Sequence, residues 1–317
     1  MPKVSVIIPT YNRCQLVIEA IGSVLTQSFT DFEIIVIDDG STDDTAEMVK
    51  AVNDERCRYF YKPNGGAASA RNMGLTKAGG EYVAFLDSDD LWPKKYLEVM
   101  VSTLQDASDY GVAYCGITQV YPDGRIVKNY RVKYCVSGWI TESLFNKSYV
   151  VCQISVIRRH LLKDFYFDES FKIMSEDVDF FLRLSLRTKF LFVPGVLTIH
   201  RVQTDSLSQR GGKNRIDHDK ITVLERFYYD LGGKNAVSKA TAMKRIGKAY
   251  RGIGLQYYEI GARKAAIEML KRAASYLGFN FKTYSCLIKA LLKPKYSDTI
   301  PDWNFPGSFR LIKEEKI

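Results

Sequence analysis

The sequence of 317 residues lacks the features of a membrane-spanning or secreted protein. No apolar run approaches the roughly 20 residues that a helix needs to cross a bilayer. The start, Met-Pro-Lys-Val-Ser-Val, also lacks the charged and then apolar layout of a signal peptide. We therefore expect a cytoplasmic protein.

Two further kinds of motif are missing. The six cysteines are scattered without paired spacing, which argues against a zinc site and gives no sign of a disulfide framework. No Gly-x-Gly-x-x-Gly follows a strand pattern, so a dinucleotide-binding dehydrogenase is a poor match. The cysteines are expected to be reduced.

Basic residues are concentrated in the last third of the chain. Residues 211–317 contain 21 Lys and Arg against 10 Asp and Glu, a net charge of +11, whereas residues 1–210 carry a net charge of −2. Clustered positive charge attracts polyanions, so this third is suited to a membrane surface, a phosphate-rich acceptor or nucleic acid. A well-solvated helical surface explains the same composition.

Short β-branched runs alternate with helical patterns over the first hundred residues. Strands are predicted at residues 4–8, 33–37, 57–61 and 81–86, and helices at residues 16–27, 42–52, 67–77 and 94–105. Such alternation is typical of crossover units on a mainly parallel sheet. The second helix is expected to open with a capping box formed by Ser41 and Asp44.

The pattern changes after Gly111. A strand and hairpin are predicted over residues 111–127, further strands over 149–157 and 190–201, and a helix over 176–187, which together indicate a mixed sheet. Beyond residue 204 only helices are predicted, at residues 219–229, 238–260, 263–277 and 279–292. We therefore predict an α/β domain over residues 1–210, with a mixed, mainly parallel sheet flanked by helices, and a basic helical module over residues 211–317.

Polar side chains follow directly after three of the predicted strands. The first strand ends in Pro9-Thr10-Tyr11-Asn12, the second in Asp38-Asp39-Gly40-Ser41 and the fourth in Asp87-Ser88-Asp89-Asp90. Because the carboxyl ends of strands in an open parallel sheet border one crevice, these segments are expected to converge. Five carboxylates in one crevice would repel one another unless a divalent cation and ligand hydroxyl groups offset their charge.

The acidic segment at residues 87–90 carries the sharpest signal. A hard cation such as Mg²⁺ or Mn²⁺ prefers oxygen ligands and would bridge such carboxylates to a pyrophosphate. It would then neutralise the charge that develops on a departing nucleoside diphosphate. Acidic residues that cap the following helix are the alternative for any single segment of this kind.

Five stretches, in this order, make the chain resemble a family 2 glycosyltransferase of the GT-A fold. They are Val-Ser-Val-Ile-Ile-Pro-Thr-Tyr-Asn at 4–12, Ile-Val-Ile-Asp-Asp-Gly-Ser-Thr-Asp at 35–43, Ala-Ser-Ala-Arg-Asn-Met-Gly at 68–74, Gly-Glu-Tyr-Val-Ala-Phe-Leu-Asp-Ser-Asp-Asp at 80–90 and Ser-Glu-Asp-Val-Asp at 175–179. The resemblance implies a GT-A type, Rossmann-like sheet. It also implies an inverting enzyme that moves a sugar from a nucleotide sugar, with uridine diphosphate as the favoured nucleotide, to an acceptor hydroxyl.

The resemblance further implies which residues bind the nucleotide. Thr10, Tyr11 and Asp39 correspond to residues that hold base and ribose, and Arg71 to an arginine that approaches the nucleotide. The full set expected to bind the nucleotide sugar is Pro9, Thr10, Tyr11, Asn12, Asp39, Gly66, Arg71, Asp87 and Ser88.

The metal ligands and the catalytic base are implied in the same way. Mn²⁺ or Mg²⁺ is the expected cofactor, with Asp89 as direct ligand, Asp90 as its substitute and His200 as a further ligand. The segment that begins at His200 continues through Ser206-Leu207-Ser208 and is expected to close over the diphosphate. Asp177 takes the place of the general base.

Three of the residues assigned by the resemblance also have a simpler interpretation. Asp177 could interact only with the dipole of a helix that starts beside it. His200 could be an ordinary core or surface histidine, and Arg71 could lie on a helix surface. Trp92 is expected in the core rather than under a sugar.

Two other functions remain open from the sequence. A nucleotidyltransferase that makes sugar nucleotides could share a similar fold, although no Gly-rich triphosphate loop lies near the first strand. A non-catalytic module that binds carbohydrate or a partner is the second alternative. For the transferase, the basic tail fits peripheral contact with anionic lipid at the inner face of the cell membrane, where a lipid-linked or other glycan acceptor would be reached. Self-association is the alternative role of the tail, and nucleic acid is not an expected partner.

Overall fold

The computed structural model describes residues 1–130, 132–171, 175–202 and 218–292. One compact unit contains the sheet, its flanking helices and residues 219–242, and the described part of a second contains His218 and residues 243–292. The proposed boundary between residues 210 and 211 lies outside the described residues. Among the described helices, none combines the length and the apolar character needed to cross a bilayer.

The sheet of the first unit contains nine strands within the described residues. They are β1 (Val4–Thr10), β2 (Phe32–Asp38), β3 (Cys57–Tyr61), β4 (Tyr82–Phe85), β5 (Asp90–Leu91), β6 (Tyr110–Val120), β7 (Ile126–Tyr130), β8 (Ser155–Arg158) and β9 (Lys189–Arg201). Their order is β3-β2-β1-β4-β8-β6-β9-β5, and β7 pairs with β6.

Both strand directions occur in this sheet. β3, β2, β1 and β4 run parallel, as do β6 and β9. β8 is antiparallel to both β4 and β6, which joins the two parallel parts. The predicted α/β fold with a mixed sheet and flanking helices is therefore confirmed.

The described helices are α1 (Cys14–Leu25), α2 (Thr45–Lys50), α3 (Ala67–Lys77), α4 (Tyr96–Asp106), α5 (Thr141–Lys147), α6 (Glu176–Ser185), α7 (Asp219–Tyr229), α8 (Lys239–Glu259), α9 (Arg263–Leu277) and α10 (Phe281–Leu292). The predicted stripe of α1 is buried at Val17, Ala20, Ile21 and Val24. Burial of a large aliphatic side chain contributes about 1.5–3 kcal/mol. Helical spacing of apolar residues thus fixes which face of α1 packs inward.

Two local predictions were wrong. The strand predicted at residues 149–157 is confined to β8, because a short 3₁₀ helix over Cys152–Ile154 comes first and the Ser155 hydroxyl donates to the Cys152 carbonyl. The capping box does not form, since α2 begins at Thr45 without a side-chain cap from Asp44. Ser41 instead accepts a hydrogen bond from the Asn12 amide, 2.9 Å away.

Candidate active site

The carboxyl ends of the first parallel strands lie side by side. Thr10 at the end of β1 is in register with Asp38 at the end of β2, and the Asp39 amide donates to the Thr10 carbonyl at 2.9 Å. On the other side of β1, the Leu86 amide donates to the Ile7 carbonyl at 3.0 Å. The segments that follow these strands therefore share one edge of the sheet.

Asp39 is buried and organises the loop that follows β3. Its carboxylate accepts hydrogen bonds from Lys62 Nζ at 2.7 Å, from the Gly65 amide at 2.9 Å and from the Gly66 amide at 2.7 Å. Gly66 therefore meets Asp39 directly, immediately before α3 begins. The loop of residues 62–66 is fixed against the end of β2 by charge-assisted hydrogen bonds.

Gly40 allows this close approach of loop and strand. Its φ of +87° lies in the left-handed region, and a Cβ there would lie 2.8 Å from the Asn64 backbone nitrogen. The Asn64 side chain also donates to the Asp39 carbonyl at 2.8 Å. Only glycine fits this backbone conformation and this space at once.

The segment after β1 presents a mixed surface. Pro9 and Thr10 are buried in the strand, and the Thr10 hydroxyl has no hydrogen-bond partner among the described residues. Tyr11 is exposed. Asn12 adopts a φ of +49° and accepts a hydrogen bond from the Thr42 amide at 2.7 Å. Tyr11 and Asn12 are thus the exposed residues of this segment, and the Tyr11 ring is its exposed apolar surface.

Arg71 connects the acidic segment to the start of α6. Its guanidinium is buried and lies 2.8 Å from Asp87, 3.1 Å from Glu176 and 3.5 Å from Asp177. The interpretation of Arg71 as a surface residue of α3 is therefore excluded. Burial alone would lower the pKa of Arg71, but the charges of the three carboxylates raise it well above its ordinary value.

Close packing of α3 on β1 carries Arg71 to this position. Gly74, one turn further along α3, faces Ile7, and a Cβ at Gly74 would lie 2.3 Å from Ile7 Cγ2. Any side chain there would push the helix off the sheet. Gly74 thus holds the base of the Arg71 side chain close to the strand ends.

Asp177 lies in the first turn of α6 and receives two hydrogen bonds from one residue. The Cys152 amide is 3.2 Å from Asp177 Oδ2, and Cys152 Sγ is 3.0 Å from Asp177 Oδ1. Burial raises the pKa of the Cys152 thiol well above its usual range, so the thiol is protonated and acts as a donor. Burial and the charge of Asp177 raise the pKa of Glu176, against the opposing effect of Arg71.

Each carboxylate of the acidic segment faces a different basic side chain. Asp87 pairs with Arg71, Asp89 with Arg13, and Asp90 with His200. Ser88, between them, is buried. These pairings offset the repulsion expected for three carboxylates within four residues.

Asp90 and His200 are brought together by the antiparallel pairing of β5 with β9. His200 Nδ1 lies 3.0 Å from Asp90 Oδ1, and the Arg201 amide donates to the same oxygen at 3.1 Å. Burial raises the pKa of Asp90 to about 6, against the lowering effect of His200. Burial would lower the pKa of His200, but the hydrogen bond to Asp90 raises it.

The side chains of this site can hold a divalent cation only if the diphosphate of a bound nucleotide supplies further oxygen ligands. No group of three or more His, Cys, Asp or Glu in the described part of the chain is arranged to hold a metal ion alone. The Asp89 carboxylate and His200 Nε2 are suitable donors, and the oxygens of a diphosphate would complete the coordination. Asp90 is buried and engaged with His200 Nδ1, which matches a carboxylate that orients a histidine ligand better than a direct ligand.

Four residues of this site were not singled out in the sequence: Arg13, Lys62, Cys152 and Glu176. Arg13 directly follows the first motif and Glu176 lies within the stretch 175–179, so their positions in the sequence were a signal. Cys152 offered none, because its link to Asp177 depends on a 3₁₀ turn. Trp92 is buried against Tyr96, as expected for a core residue, and Ser206-Leu207-Ser208 lies outside the described residues.

The sequence matches a family model and curated relatives. Residues 5–166 match the model of glycosyl transferase family 2. The chain is 30% identical to the GalNAc(5)-diNAcBac-PP-undecaprenol beta-1,3-glucosyltransferase of Campylobacter jejuni, over 92% of this chain and 89% of that protein. It is 40% identical to an uncharacterized glycosyltransferase of Rickettsia felis over 155 residues, or 49% of this chain. The chain spans only 25% of the length of the Rickettsia protein.

Solved structures share the fold at lower sequence identity. TarS of S. aureus in complex with UDP has a TM-score of 0.64 and 22% identity, over 91% of this chain and 88% of that one. A mannosyltransferase of Pyrobaculum calidifontis, solved with GDP-Man and Mn²⁺, has a TM-score of 0.52 and 19% identity, over 92% and 79%. With the motif residues gathered at the strand ends, the family match and the relative that covers nearly the whole chain, the protein belongs to glycosyl transferase family 2.

Proposed function

We propose that the protein transfers a sugar from a nucleoside diphosphate sugar, with UDP as the favoured nucleotide, to an acceptor hydroxyl with inversion at the anomeric carbon. The observation that carries this proposal is the position of Arg71. Its guanidinium pairs with Asp87 of the acidic segment and also contacts Glu176 and Asp177 at the start of α6. Asp87, which is expected beside the sugar donor, and Asp177, which is expected beside the acceptor, thus belong to one connected site.

The nucleotide would lie along the ends of β1 and β2. Tyr11 offers an exposed ring, and Thr10 has a buried hydroxyl without a partner among the described residues. The Asp39 carboxylate has about four lone-pair positions, and three donors occupy part of them, so it can accept one more hydrogen bond. The N3–H of uracil is a donor of the required kind, so this position is compatible with UDP.

The diphosphate would lie at the acidic segment. A divalent cation, when bound, neutralises the charge on the leaving diphosphate. Asp89 and His200 would hold Mn²⁺ or Mg²⁺ there, while Asp90 keeps His200 in the orientation that leaves Nε2 available. Arg13, which pairs with Asp89, carries a second positive charge at this end of the site.

Asp177 would act as general base. It takes the proton of the acceptor hydroxyl, whose oxygen forms a bond to the anomeric carbon while the bond from that carbon to the diphosphate oxygen breaks. The bonding electron pair leaves with the nucleoside diphosphate, so atoms and charge balance. General-base assistance of this kind contributes roughly 10²- to 10⁴-fold in rate.

The acceptor would be a glycan or a lipid-linked glycan. The name of the Campylobacter jejuni relative includes an undecaprenol-linked substrate, and the basic residues 211–317 favour an anionic surface. We therefore include a peripheral contact of this region with the inner face of the cell membrane in the proposal. A homo-oligomer formed through the same region is the alternative.

A donor screen tests the proposed reaction. Binding of the correct nucleotide sugar with Mn²⁺ stabilises the fold by mass action and raises the melting temperature. We expect UDP-sugars to give the largest increase, and turnover to release UDP rather than pyrophosphate. Release of pyrophosphate would favour a nucleotidyltransferase, and no stabilisation by any nucleotide sugar would contradict the proposal.

A further inference from the structure

The last described helix, α10, has an exposed apolar face. Its exposed apolar side chains are between 38% and 80% accessible, and they are Phe281, Tyr284, Ile288, Leu291 and Leu292. Residues three, four and seven positions apart share one face of a helix, so these side chains form a single stripe. Most soluble helices place such a stripe toward the core.

The opposite side of α10 is the one that packs. Thr283 and Ala290 are fully buried, and the Arg263 guanidinium of α9 donates to the Ala290 carbonyl at 3.1 Å. At the start of α10, the Thr283 amide donates to the Asn280 side chain at 3.2 Å. These contacts set the rotation of α10 within its unit and leave the apolar stripe outside.

Positive charge borders the stripe. Lys282 and Lys289 are exposed on α10 and lie beside the apolar stripe that contains Ile288. Over residues 269–297 the sequence contains six Lys and Arg and no Asp or Glu. The exposed surface of α10 therefore combines large apolar side chains with the positive charge of Lys282 and Lys289.

We propose that this face of α10 docks on an anionic lipid surface. The apolar stripe would enter the boundary between headgroups and acyl chains, and the lysines would contact the phosphates, as in helices that lie in the membrane plane. A second copy of the chain is a poorer occupant, because it would bring the same lysines against these and like charges disfavour association. The inference rests on the proposed membrane contact and names the surface that makes it.

Vesicle sedimentation of the full chain tests the assignment. Wild type should bind vesicles of phosphatidylcholine with about a third phosphatidylglycerol, and bind phosphatidylcholine alone much more weakly. The double variant Ile288→Ser/Leu291→Ser should bind the anionic vesicles about tenfold more weakly, because the stripe loses apolar area. Ile126→Ser is the matched control, since Ile126 is 57% exposed and Ile288 54%, and it should bind as wild type does.

A charge variant separates the two contributions. Lys282→Gln/Lys289→Gln should weaken binding to anionic vesicles at low salt and reduce the dependence of binding on salt. The apolar double variant should be weaker at every salt concentration. This pair of results would support docking by both parts of the face.

Other results would overturn the assignment in distinguishable ways. If wild type does not bind anionic vesicles, both the membrane contact and the docking face are wrong. If wild type binds and the α10 variants bind equally well, the membrane contact stands and the docking face is wrong. If Ile288→Ser/Leu291→Ser dissociates an oligomer or lowers the melting temperature sharply with unchanged vesicle binding, the stripe is covered by protein and not by lipid.

Discussion

Cys152 holds the carboxylate of Asp177 at both oxygens, with its amide 3.2 Å from Oδ2 and its thiol 3.0 Å from Oδ1. Arg71 approaches Asp177 Oδ1 at 3.5 Å, which is longer than its distances to Asp87 and Glu176. The proposed base is thus oriented by two donors from a neutral residue, while the buried guanidinium pairs more closely with its neighbours. A base oriented in this way can face an acceptor hydroxyl, with the guanidinium charge of Arg71 close by.

Replacement of Cys152 tests this relationship. Cys152→Ala should lower kcat about tenfold with little change in the KM for the donor, because the Asp177 carboxylate loses one oriented hydrogen bond. Cys152→Ser should retain most of the activity, since a hydroxyl can donate in the place of the thiol. Steady-state kinetics of the three proteins give the comparison.

The separate values of kcat and KM distinguish positioning from a purely structural effect. Loss of positioning should lower kcat in Cys152→Ala and leave the KM for the donor unchanged, and the hydroxyl of Cys152→Ser should reverse the loss. An unchanged kcat in Cys152→Ala would remove Cys152 from the account.

Substitution of Arg71 tests the connection between the two halves of the site. Arg71→Lys keeps the charge but cannot span Asp87 and Glu176 with a planar fork, and we expect kcat to fall about 100-fold. Arg56→Lys is the control. Arg56 lies 2.8 Å from Asp54, the same distance that separates Arg71 from Asp87, but this pair is partly exposed. Equal effects of the two substitutions on kcat would contradict the role given to Arg71.

Metal dependence tests the roles of Asp90 and His200. Chelation should abolish transfer, and added Mn²⁺ should restore it. His200→Gln should raise the Mn²⁺ concentration needed for half-maximal activity about 10- to 100-fold, and Asp90→Asn should act in the same direction because it loosens His200. His160→Gln, at an exposed histidine, is the control. Metal-independent activity in the wild type would contradict this assignment.

The pairing of Arg226 with two carboxylates should stabilise the packing of α7. Arg226 lies 2.6 Å from Asp168 and 2.7 Å from Asp179 of α6. Arg226→Met should lower the free energy of unfolding at neutral pH by about 2 kcal/mol, because Asp179 is buried and loses a partner. Arg125→Met, which breaks an exposed pair with Asp123, should change it by less than about 0.5 kcal/mol.

The ion pair between Arg226 and Asp168 should stabilise the protein to an extent that depends on pH. Burial opposes the shift, but hydrogen bonds from Ser170 and Arg226 lower the pKa of Asp168 from 3.8 to about 2. Its contribution is therefore complete above pH 3.8 and is lost as the pH falls through about 2. The difference in urea unfolding between wild type and Arg226→Met should shrink over that interval, and a constant difference would contradict the pairing.

The sequence predicted those parts of the site that are local in the chain. The residues after β1, β2 and β4 were identified because parallel strands end at a common edge, and α3, α7 and α9 begin and end where the patterns indicated. Contacts between distant residues were not predictable in the same way. Arg71 and Glu176 are 105 positions apart, and their pairing depends on how closely Gly74 lets α3 approach the sheet.

Local patterns also failed where a polar residue had a competing partner. Ser41 satisfies a capping pattern, yet its hydroxyl binds the Asn12 amide because the ends of β1 and β2 lie together in the sheet. The turn at Cys152 is predicted as a strand because β-branched residues flank it on both sides, Val150 and Val151 before it and Val156 and Ile157 after it. In both cases tertiary contacts outweighed local preference.

Asp177→Asn gives the most direct test of the proposed reaction. The variant keeps the size of the side chain, so the melting-temperature increase caused by the donor and Mn²⁺ should match that of wild type. Transfer should fall by about 10²- to 10⁴-fold, the contribution of a general base, while Asp106→Asn on the exposed end of α4 should transfer normally. Wild-type transfer rates in Asp177→Asn, with donor binding intact, would show that another group removes the acceptor proton.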